Sequence, residues 1–449
     1  MNKKFRYGGT FLFCVTMLLI YTHKASQRLL YIFNLVCKEM MGLDYQVSID
    51  SEAFKAYEGP KINYSDRKFT AGEFYIQHHS LLFEQDIKKQ SIDCFTVNNN
   101  KAFFKTTASD FPFDIFAAAF YLVSRYEEYL PHEKDSYGRF DCERSLAFRE
   151  KFLHLPLVNL WVANFADSLR KKFLPGSLRT VANFTAPTFR FIPTYDIDIA
   201  YSYKHKGLLR NAGGYFKTPT TERLKVLGGA MKDPFDCYDW LNQLHRDYKL
   251  HPIYFFLVAH RNGRYDKNIL PHKDAMWKLV KKHAQYSLGI HPSWQSGDDK
   301  ALLKKEIQQL EAMSDKRICN SRQHYIRFNL PEGYQRLPAA GITDDYSMGY
   351  GSINGFRASI ANAFFWYDLE KETNSVLRIH PFCFMDANAY YEQRQNTAQT
   401  MNELMHYLAV CRQVNGEFIS IWHNNFLGNS KDVEGWRELY QQFIVQVQQ

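Results

Sequence analysis

Short apolar runs alternate with helix-like segments through the second half of the chain, and this alternation constrains the fold more than any other feature. The runs lie at residues 191–195, 253–258, 287–291, 326–329, 376–382 and 418–422. Strands that alternate with helices are typical of a parallel α/β sheet or barrel. In such barrels the chemistry lies at the carboxyl ends of the strands. The residues directly after each run are therefore the first candidates for a functional site.

The first half of the chain also alternates short strands with helices, and it predicts a separate, smaller α/β domain. The chain has 449 residues, which is more than one ordinary hydrophobic core accommodates. Pro175 and Pro187 punctuate the stretch 173–190 and indicate a linker. We therefore predict an N-terminal domain at 17–185 and a C-terminal domain at 186–449.

Two segments of the first domain have helical periodicity. Residues 114–130 place apolar side chains on one face and end before a proline, and residues 157–172 form a second amphipathic pattern. Arg125, Glu127 and Glu128 lie at the far end of the first helix. We interpret them as the charged face of a surface helix, with a functional site as the alternative.

The N-terminus admits two interpretations. Basic residues precede an apolar run at 11–21, as in a signal peptide, but the run is too short to span a bilayer and no small-residue cleavage site follows it. The alternative is a buried strand at 18–21 that leads into a helix from Ser26 to about Met41. We favour the strand and helix, so we expect residues 1–16 to lie outside the fold, with export as the alternative.

Charge and cysteine content exclude several classes of protein. The net charge is +9, yet no run of five basic residues occurs, so we expect no nucleic-acid partner. The eight cysteines form no CxxC pair and no zinc-ligand pattern with histidine. Isolated cysteines in a long chain are typical of reduced thiols in a cytoplasmic protein. Aromatic residues make up 16% of the chain, which suits either buried cores or clefts that stack on sugar rings.

Acids and histidines follow several of the predicted strands. Asp196 and Asp198 end the first run, and His291, His324 and His423 follow or end later segments. Two acids on one strand face repel each other unless a cation or a shared proton lies between them. Oxygen and imidazole ligands suit Zn²⁺, with Mn²⁺, Fe²⁺, Co²⁺ and Ni²⁺ as alternatives. Each residue alone could instead be a solvated acid or a hydrogen-bonded structural histidine, but the set predicts a divalent-metal site.

This series resembles the polysaccharide deacetylase family, also called carbohydrate esterase family 4 or NodB homology. The resemblance covers about residues 190–430. The family's motifs have counterparts here in the family's order: Thr194-Tyr195-Asp196-Ile197-Asp198, His291, Arg322, Asp344 or Asp345, and Ile421-Trp422-His423. The resemblance implies an irregular (β/α)7-type barrel.

Longer segments resemble a subgroup of uncharacterised deacetylase-like proteins from Bacteroidetes-type genomes. These segments are 59–65 and 113–131 in the first half and 254–268, 289–296, 321–324, 341–350, 355–357, 365–369 and 420–424 in the second. The resemblance therefore extends over nearly the whole chain from about Leu18. It implies that the barrel is preceded by a smaller α/β companion domain of unknown function.

The resemblance also implies roles for individual residues. Asp196 would be the general base, Arg322 would orient it, and His423 would protonate the leaving amine. Asp198 and His291 would be metal ligands. The reaction implied is removal of acetyl groups from an N-acetylated carbohydrate by a metal-dependent C–N hydrolase.

One departure from the family pattern concerns the metal. The second motif of the family is His-x-x-x-His, but Gln295 stands where the second histidine belongs. Two protein ligands hold a catalytic metal poorly, and three are usual. His324 lies two residues after Arg322, on the same face of an extended segment. We therefore predict that His324 supplies the third ligand.

Three further residues are candidates for substrate binding. Arg357 follows a loop rich in glycine and tyrosine and could bind an anionic group, with a structural salt bridge as the alternative. Asp345 is the fourth-motif candidate, and Trp422 could exclude water beside His423. Asp386, after another apolar segment, has the same two interpretations as Arg357.

Two other functions remain open from the sequence. The chain could hydrolyse a small, non-sugar amide, or it could be an inactive relative that binds or assembles. We expect a carbohydrate partner and no stable membrane span.

Overall fold

The computed structural model describes residues 17–173, 188–207, 211, 216 and 220–449. The predicted extension at 1–16 and most of the predicted linker lie outside these residues. The chain forms two compact units. The first comprises the described parts of 1–84, 91–120 and 161–187, and the second comprises 85–90, 121–160 and the described part of 188–449. The second unit thus takes in residues 85–90 and 121–160, which lie within the predicted N-terminal domain at 17–185.

The first unit contains a parallel four-stranded sheet. Its strands are β1 (Leu18–Thr22), β2 (Tyr45–Ser48), β3 (Lys61–Ser65) and β4 (Phe74–Gln77), in the order β2-β1-β3-β4. All three neighbouring pairs are parallel. Strands β5 (Phe95–Val97) and β6 (Asn100–Ala102) form a separate antiparallel pair.

The predicted strand and helix at the start of the first unit are confirmed. Helix Gln27–Phe33 begins at Ser26, whose side chain accepts a hydrogen bond from the Leu29 N–H, and it continues as a π-helix over Asn34–Met40. Helix Ser51–Ala56 and the 3-10 turn Ser80–Phe83 follow.

The helix predicted at 114–130 is broken. It runs over Ile115–Val123 and is followed by a 3-10 turn at Tyr126–Tyr129, because Arg125 has a φ of 57° and cannot continue an α-helix. The charges at this break are buried, so the expected exposed face is wrong. Helix Leu157–Phe173 lies where the sequence predicts it.

A nine-stranded sheet organises the second unit. The strands are β7 (Arg190–Ile197), β8 (Ile253–Leu257), β9 (Ser287–His291), β10 (Asn320–Ser321), β11 (Asp344–Asp345), β12 (Phe364–Asp368), β13 (Thr373–Ile379), β14 (Phe384–Met385) and β15 (Glu417–His423). Their order is β12-β13-β11-β10-β9-β8-β7-β15-β14. Within the described part of this sheet, only the β12–β13 pair is antiparallel. The chain is therefore a mixed α/β protein with several sheets, and the irregular (β/α)7-type barrel stays a prediction.

Helices connect these strands or follow the last of them. They are Thr221–Leu227, Tyr238–Asp247, Asp274–His283, Lys300–Ser314, Glu332–Ala339, Thr397–Gln413 and Trp436–Gln448. The fourth of them buries an apolar stripe that includes Leu303, Ile307 and Leu310. None of the helices in the described part of the chain combines the length and the apolar character that a bilayer crossing needs.

One predicted strand is wrong. Residues 326–329 are not a strand, and the sheet instead uses the two-residue β10, after which the chain makes a 3-10 turn at His324–Ile326. The side chains of Ile326 and Phe328 are buried without joining the sheet. A short apolar run therefore marks a buried segment here but not its backbone conformation.

Candidate functional site

Three strands of the second unit place polar side chains at one edge of the sheet. In the parallel ladder Asp196 of β7 is the register partner of His423 of β15, and His291 ends β9. Asp198 follows directly after β7, and His324 comes shortly after β10. The carboxyl ends of these strands therefore converge, as parallel pairing requires.

The structure brings the three predicted metal ligands together. Nε2 of His291 lies 3.1 Å from Oδ1 of Asp198, and Nε2 of His324 lies 3.4 Å from Oδ2 of the same carboxylate. One ligand atom from each residue lies within 4.8 Å of the others. Both imidazoles are buried, so the group faces a protected space and not bulk solvent.

The far side of each imidazole is held by an acceptor. Nδ1 of His291 lies 2.6 Å from the carbonyl oxygen of Arg322, and Nδ1 of His324 lies 3.0 Å from Oδ1 of Asp266. In the neutral imidazole, an acceptor at Nδ1 places the proton there and directs the Nε2 lone pair toward Asp198. The donor set is one carboxylate and two imidazoles, which fits a divalent ion with an open position.

Gln295 does not contribute to this cluster. Its Oε1 accepts a hydrogen bond of 3.1 Å from Nε of Arg261. The position that carries the second histidine in the family motif is therefore engaged elsewhere, and His324 takes its place beside Asp198.

The cluster is electrostatically prepared for a cation. Burial alone would lower the pKa of His324, but the carboxylates of Asp198 and Asp266 outweigh it and raise that pKa to about 9. Burial raises the pKa of Asp198, yet the two neighbouring imidazoles hold it well below its usual range. The carboxylates around His324 therefore favour positive charge at this position, as they would favour a bound cation.

Arg322 fixes Asp196. Its guanidinium is buried and donates from Nη1 to Oδ1 of Asp196 at 2.9 Å and to Oγ1 of Thr194 at 2.6 Å. The guanidinium carbon also lies 4.4 Å from the centre of the Phe255 ring. Arg322 thus holds the Asp196 carboxylate through Oδ1. The other oxygen, Oδ2, lies 3.8 Å from Nε2 of His291.

His423 is fixed by Asp386. Nδ1 of His423 lies 2.6 Å from Oδ1 of Asp386, and the backbone N–H of His423 donates to Oδ2 at 2.6 Å. Nε2 points to the metal-ligand cluster, 3.6 Å from Oδ2 of Asp198. Burial alone would lower the pKa of His423, but Asp386 and then Asp198 raise it to about 10.

These groups open into one cavity of about 510 Å³. Its wall includes Asp196, Asp198, His291, His324 and His423. Aromatic and apolar side chains complete it, among them Tyr137, Tyr325, Phe235, Met385, Tyr391 and Phe426. The six predicted catalytic and metal residues therefore lie in or directly behind one concave site, since Arg322 acts through Asp196.

The expected substrate contact of Arg357 is corrected by the structure. Its guanidinium is buried and pairs with Glu128 through Nε at 2.8 Å and Nη2 at 2.5 Å, while Nη1 donates to the Gly349 carbonyl at 3.1 Å. It does not line the cavity. Arg357 is the structural ion pair that the sequence left open as the alternative.

Asp345 and Trp422 also lie away from the cavity wall. Asp345 is fully buried and accepts hydrogen bonds from the hydroxyls of Ser321 and Ser347. Trp422 is fully buried, with its ring 4.6 Å from that of Tyr440. Because successive side chains on a strand point to opposite faces, Trp422 turns inward where His423 faces the cavity.

Asp266 is the functional residue that the sequence did not single out. It lies in a loop, without the strand-end position that marked the other acids. Its Oδ1 also accepts a hydrogen bond of 3.1 Å from the Trp294 N–H, so the carboxylate that holds His324 is itself held in place.

A family of unknown function, DUF7033, matches residues 18–174. No curated protein matches the chain. A Mycobacterium smegmatis protein assigned as a polysaccharide deacetylase is similar in structure at a TM-score of 0.39 and 13% identity, over 58% of this chain and 84% of that one. A polysaccharide deacetylase from Bacillus cereus gives a TM-score of 0.30 and 8% identity, over 58% of this chain and 88% of that one. At these values neither likeness bears on activity.

Proposed function

We propose that this chain is a metal-dependent hydrolase of the polysaccharide-deacetylase type that removes acetyl groups from an N-acetylated carbohydrate. The observation that carries the proposal is the convergence of Asp198, His291 and His324 within 4.8 Å, with Asp196 and His423 beside them. A ligand cluster with a carboxylate and a histidine at its margin is the arrangement that metal-assisted hydrolysis requires.

Asp198, His291 and His324 would hold the ion. Three protein ligands leave a position open for water or substrate, as in catalytic sites. Zn²⁺ suits this set first, with Mn²⁺, Fe²⁺, Co²⁺ and Ni²⁺ as alternatives. When bound, such an ion polarises a carbonyl group and lowers the pKa of a coordinated water to about 7.

Asp196 suits the role of general base. Arg322 holds its Oδ1, so the carboxylate has one orientation and its Oδ2 is directed to the metal-ligand cluster. A base must lie within about 2.6–3.2 Å of the proton it takes, directly or through one water. Asp196 would take a proton from the attacking water as that water adds to the amide carbonyl.

His423 suits the role of general acid. An amine leaves poorly unless it is protonated as the C–N bond breaks. Asp386 raises the pKa of His423 to about 10, which keeps the imidazole protonated at neutral pH with Nε2 toward the cavity. Proton transfer from Nε2 to the nitrogen would release the free amine, and the acyl group would depart as acetate.

We propose a cytoplasmic location, with export as the alternative. The eight cysteines are scattered along the sequence without a CxxC pair, which suits a reducing compartment.

The proposal is tested by acetate release from tetra-N-acetylchitotetraose by the zinc-loaded protein. His423→Ala and Asp196→Asn should each lower kcat about 10²–10⁴-fold, because each removes one proton-transfer group. Metal content, measured by mass spectrometry, should stay unchanged in both variants.

His380→Ala is the matched control. His380 is a buried histidine paired with a carboxylate, Asp344 at 2.8 Å, but it does not line the cavity. This variant should keep kcat. A His423→Ala protein with the wild-type rate would refute the assigned mechanism. Acetate released from a small amide and from no sugar would favour the non-sugar hydrolase.

A further inference from the structure

A short hairpin at residues 134–140 reaches the cavity from the N-terminal half of the sequence. Its two ends pair as an antiparallel bridge. Oδ1 of Asp135 accepts hydrogen bonds of 2.9 Å from the backbone N–H groups of Tyr137 and Arg139. Gly138 has a φ of 76°, a conformation that other residues rarely adopt. The hairpin is therefore locally preorganised.

The hairpin contacts the cavity wall through two side chains. The ring of Tyr137 stacks on that of Tyr325, with centroids 5.4 Å apart and planes at 18°. Arg139 donates from Nη1 to the Tyr325 carbonyl at 2.8 Å and from Nε to Asp135 at 2.6 Å. A Cβ at Gly351 would lie 1.9 Å from Nη1 of Arg139, so only glycine leaves room for this guanidinium.

Tyr325 needs this support. It has a φ of 58°, and a tyrosine in the left-handed region persists only where its surroundings hold it. Its ring centroid lies 4.4 Å from that of the metal ligand His324. Trp294 and Tyr265, stacked on each other at 3.8 Å, meet Tyr325 edge-on at 5.8 and 5.6 Å.

We propose that this hairpin is the sugar-recognition element of the site. The cavity-facing surfaces of Tyr137 and Tyr325 would carry the pyranose ring, and Arg139 would be the positioning residue that holds Tyr325. Both rings are partly exposed and line the same cavity as Asp198. The inference rests on the proposed function, because it assumes a carbohydrate substrate.

The chemistry of a pyranose favours such a wall. Its ring faces present C–H groups, while its hydroxyls point outward from the rim. Aromatic side chains offer a large, rigid apolar face that loses little conformational entropy on binding, and polar groups around them fix the orientation of a ligand. The match to the family of unknown function covers residues 18–174, so the hairpin assigns part of that region a role in substrate choice.

The test compares two probes on the zinc-loaded full chain. Tetra-N-acetylchitotetraose has pyranose rings, whereas p-nitroacetanilide carries the same acetamide without a sugar. Tyr137→Ala should lower kcat/KM for the tetramer about 2- to 10-fold more than for the anilide, mainly through KM, because loss of one aromatic contact weakens binding by about that factor. Tyr137→Phe should restore the tetramer value, because it keeps the ring.

Phe148→Ala is the control for loss of an aromatic side chain. Phe148 lies in the same 121–160 segment, is 37% exposed and does not line the cavity, so both kcat/KM values should stay as in the wild type. An equal loss on the two probes in Tyr137→Ala, or no loss on either, would overturn the inference.

Calorimetric titration of the tetramer separates this inference from the proposed function. A wild-type protein that binds the tetramer without releasing acetate refutes the deacetylase function alone. In that case weaker binding by Tyr137→Ala supports the hairpin's role, and unchanged binding overturns it. A wild-type protein that does not bind the tetramer also overturns it.

Discussion

Glu128 should be among the most sensitive buried charges in the chain. Its carboxylate pairs with Arg357 at 2.5 Å and with Arg125 at 2.7 Å, and all three side chains are almost fully buried. The N–H groups of Arg125 also reach Glu127 at 2.9 Å and the carbonyl of Arg357. The left-handed conformation of Arg125 is thus stabilised by a network that closes within the second unit.

The magnitude follows from the pKa of Glu128. Burial alone would raise it, but Arg357 and Arg125 lower it from 4.5 to about 2. A depressed carboxyl pKa contributes stability above pH 4.5, and this contribution is lost as the pH falls toward 2. The difference corresponds to about 3 kcal/mol at pH 7. Removing one partner of a buried ion pair typically costs about 3–5 kcal/mol, a range that agrees with the value from the pKa of Glu128.

Glu128→Gln therefore should lower the free energy of unfolding by about 3 kcal/mol at pH 7, because it keeps the shape and removes the charge. Urea denaturation followed by circular dichroism measures this difference. Glu133→Gln is the matched control, since Glu133 pairs with Arg144 on the surface of the same segment, and it should cost less than about 1 kcal/mol. A loss below about 1 kcal/mol in Glu128→Gln would show that the buried charge of Glu128 does not make this contribution to stability.

Two further predictions concern histidines. Asp386→Asn should lower kcat for acetate release about 10²–10⁴-fold, because His423 loses the carboxylate that orients it. KM and zinc content should stay unchanged. The control Asp344→Asn breaks a comparable pair with His380 and should keep kcat. Burial lowers the pKa of His283 from 6.5 to about 4. The contribution of the neutral imidazole to folding stability is therefore complete above pH 6.5 and is lost as the pH falls toward 4. Replacing it in His283→Gln should remove about 2 kcal/mol of the stability difference between pH 7 and pH 5, and an unchanged pH dependence of urea unfolding would contradict this.

The metal-ligand cluster could be predicted from the sequence because it depends on a regular rule. Parallel strands bring their carboxyl ends to one edge, so Asp198 and His291 had to converge once the strands were identified. His324 was predicted because a catalytic metal usually has three protein ligands, although the strand near it was predicted several residues too far along the chain. The short β10 had no apolar run to mark it.

The remaining site residues depend on contacts that sequence separation conceals. Asp266 reaches His324 only through the path of a loop, and Arg357 meets Glu128 across 229 residues. Trp422 was misassigned because a shift of one residue along a strand reverses the face on which a side chain lies. Tyr137 was missed because nothing local indicates that a hairpin from the first half of the chain reaches this cavity.

Zinc binding tests most directly whether Asp198, His291 and His324 form the proposed divalent-metal site. Metal-free full-length protein, prepared with a chelator, should bind one Zn²⁺ per chain in calorimetric titration. His324→Ala should abolish tight binding, and Asp266→Asn should weaken it about 10–100-fold, since it removes the carboxylate behind the ligand. Gln295→Ala should bind as the wild type does, because Gln295 pairs with Arg261. A wild-type chain that binds no zinc, or a His324→Ala chain that binds it equally well, would contradict the account.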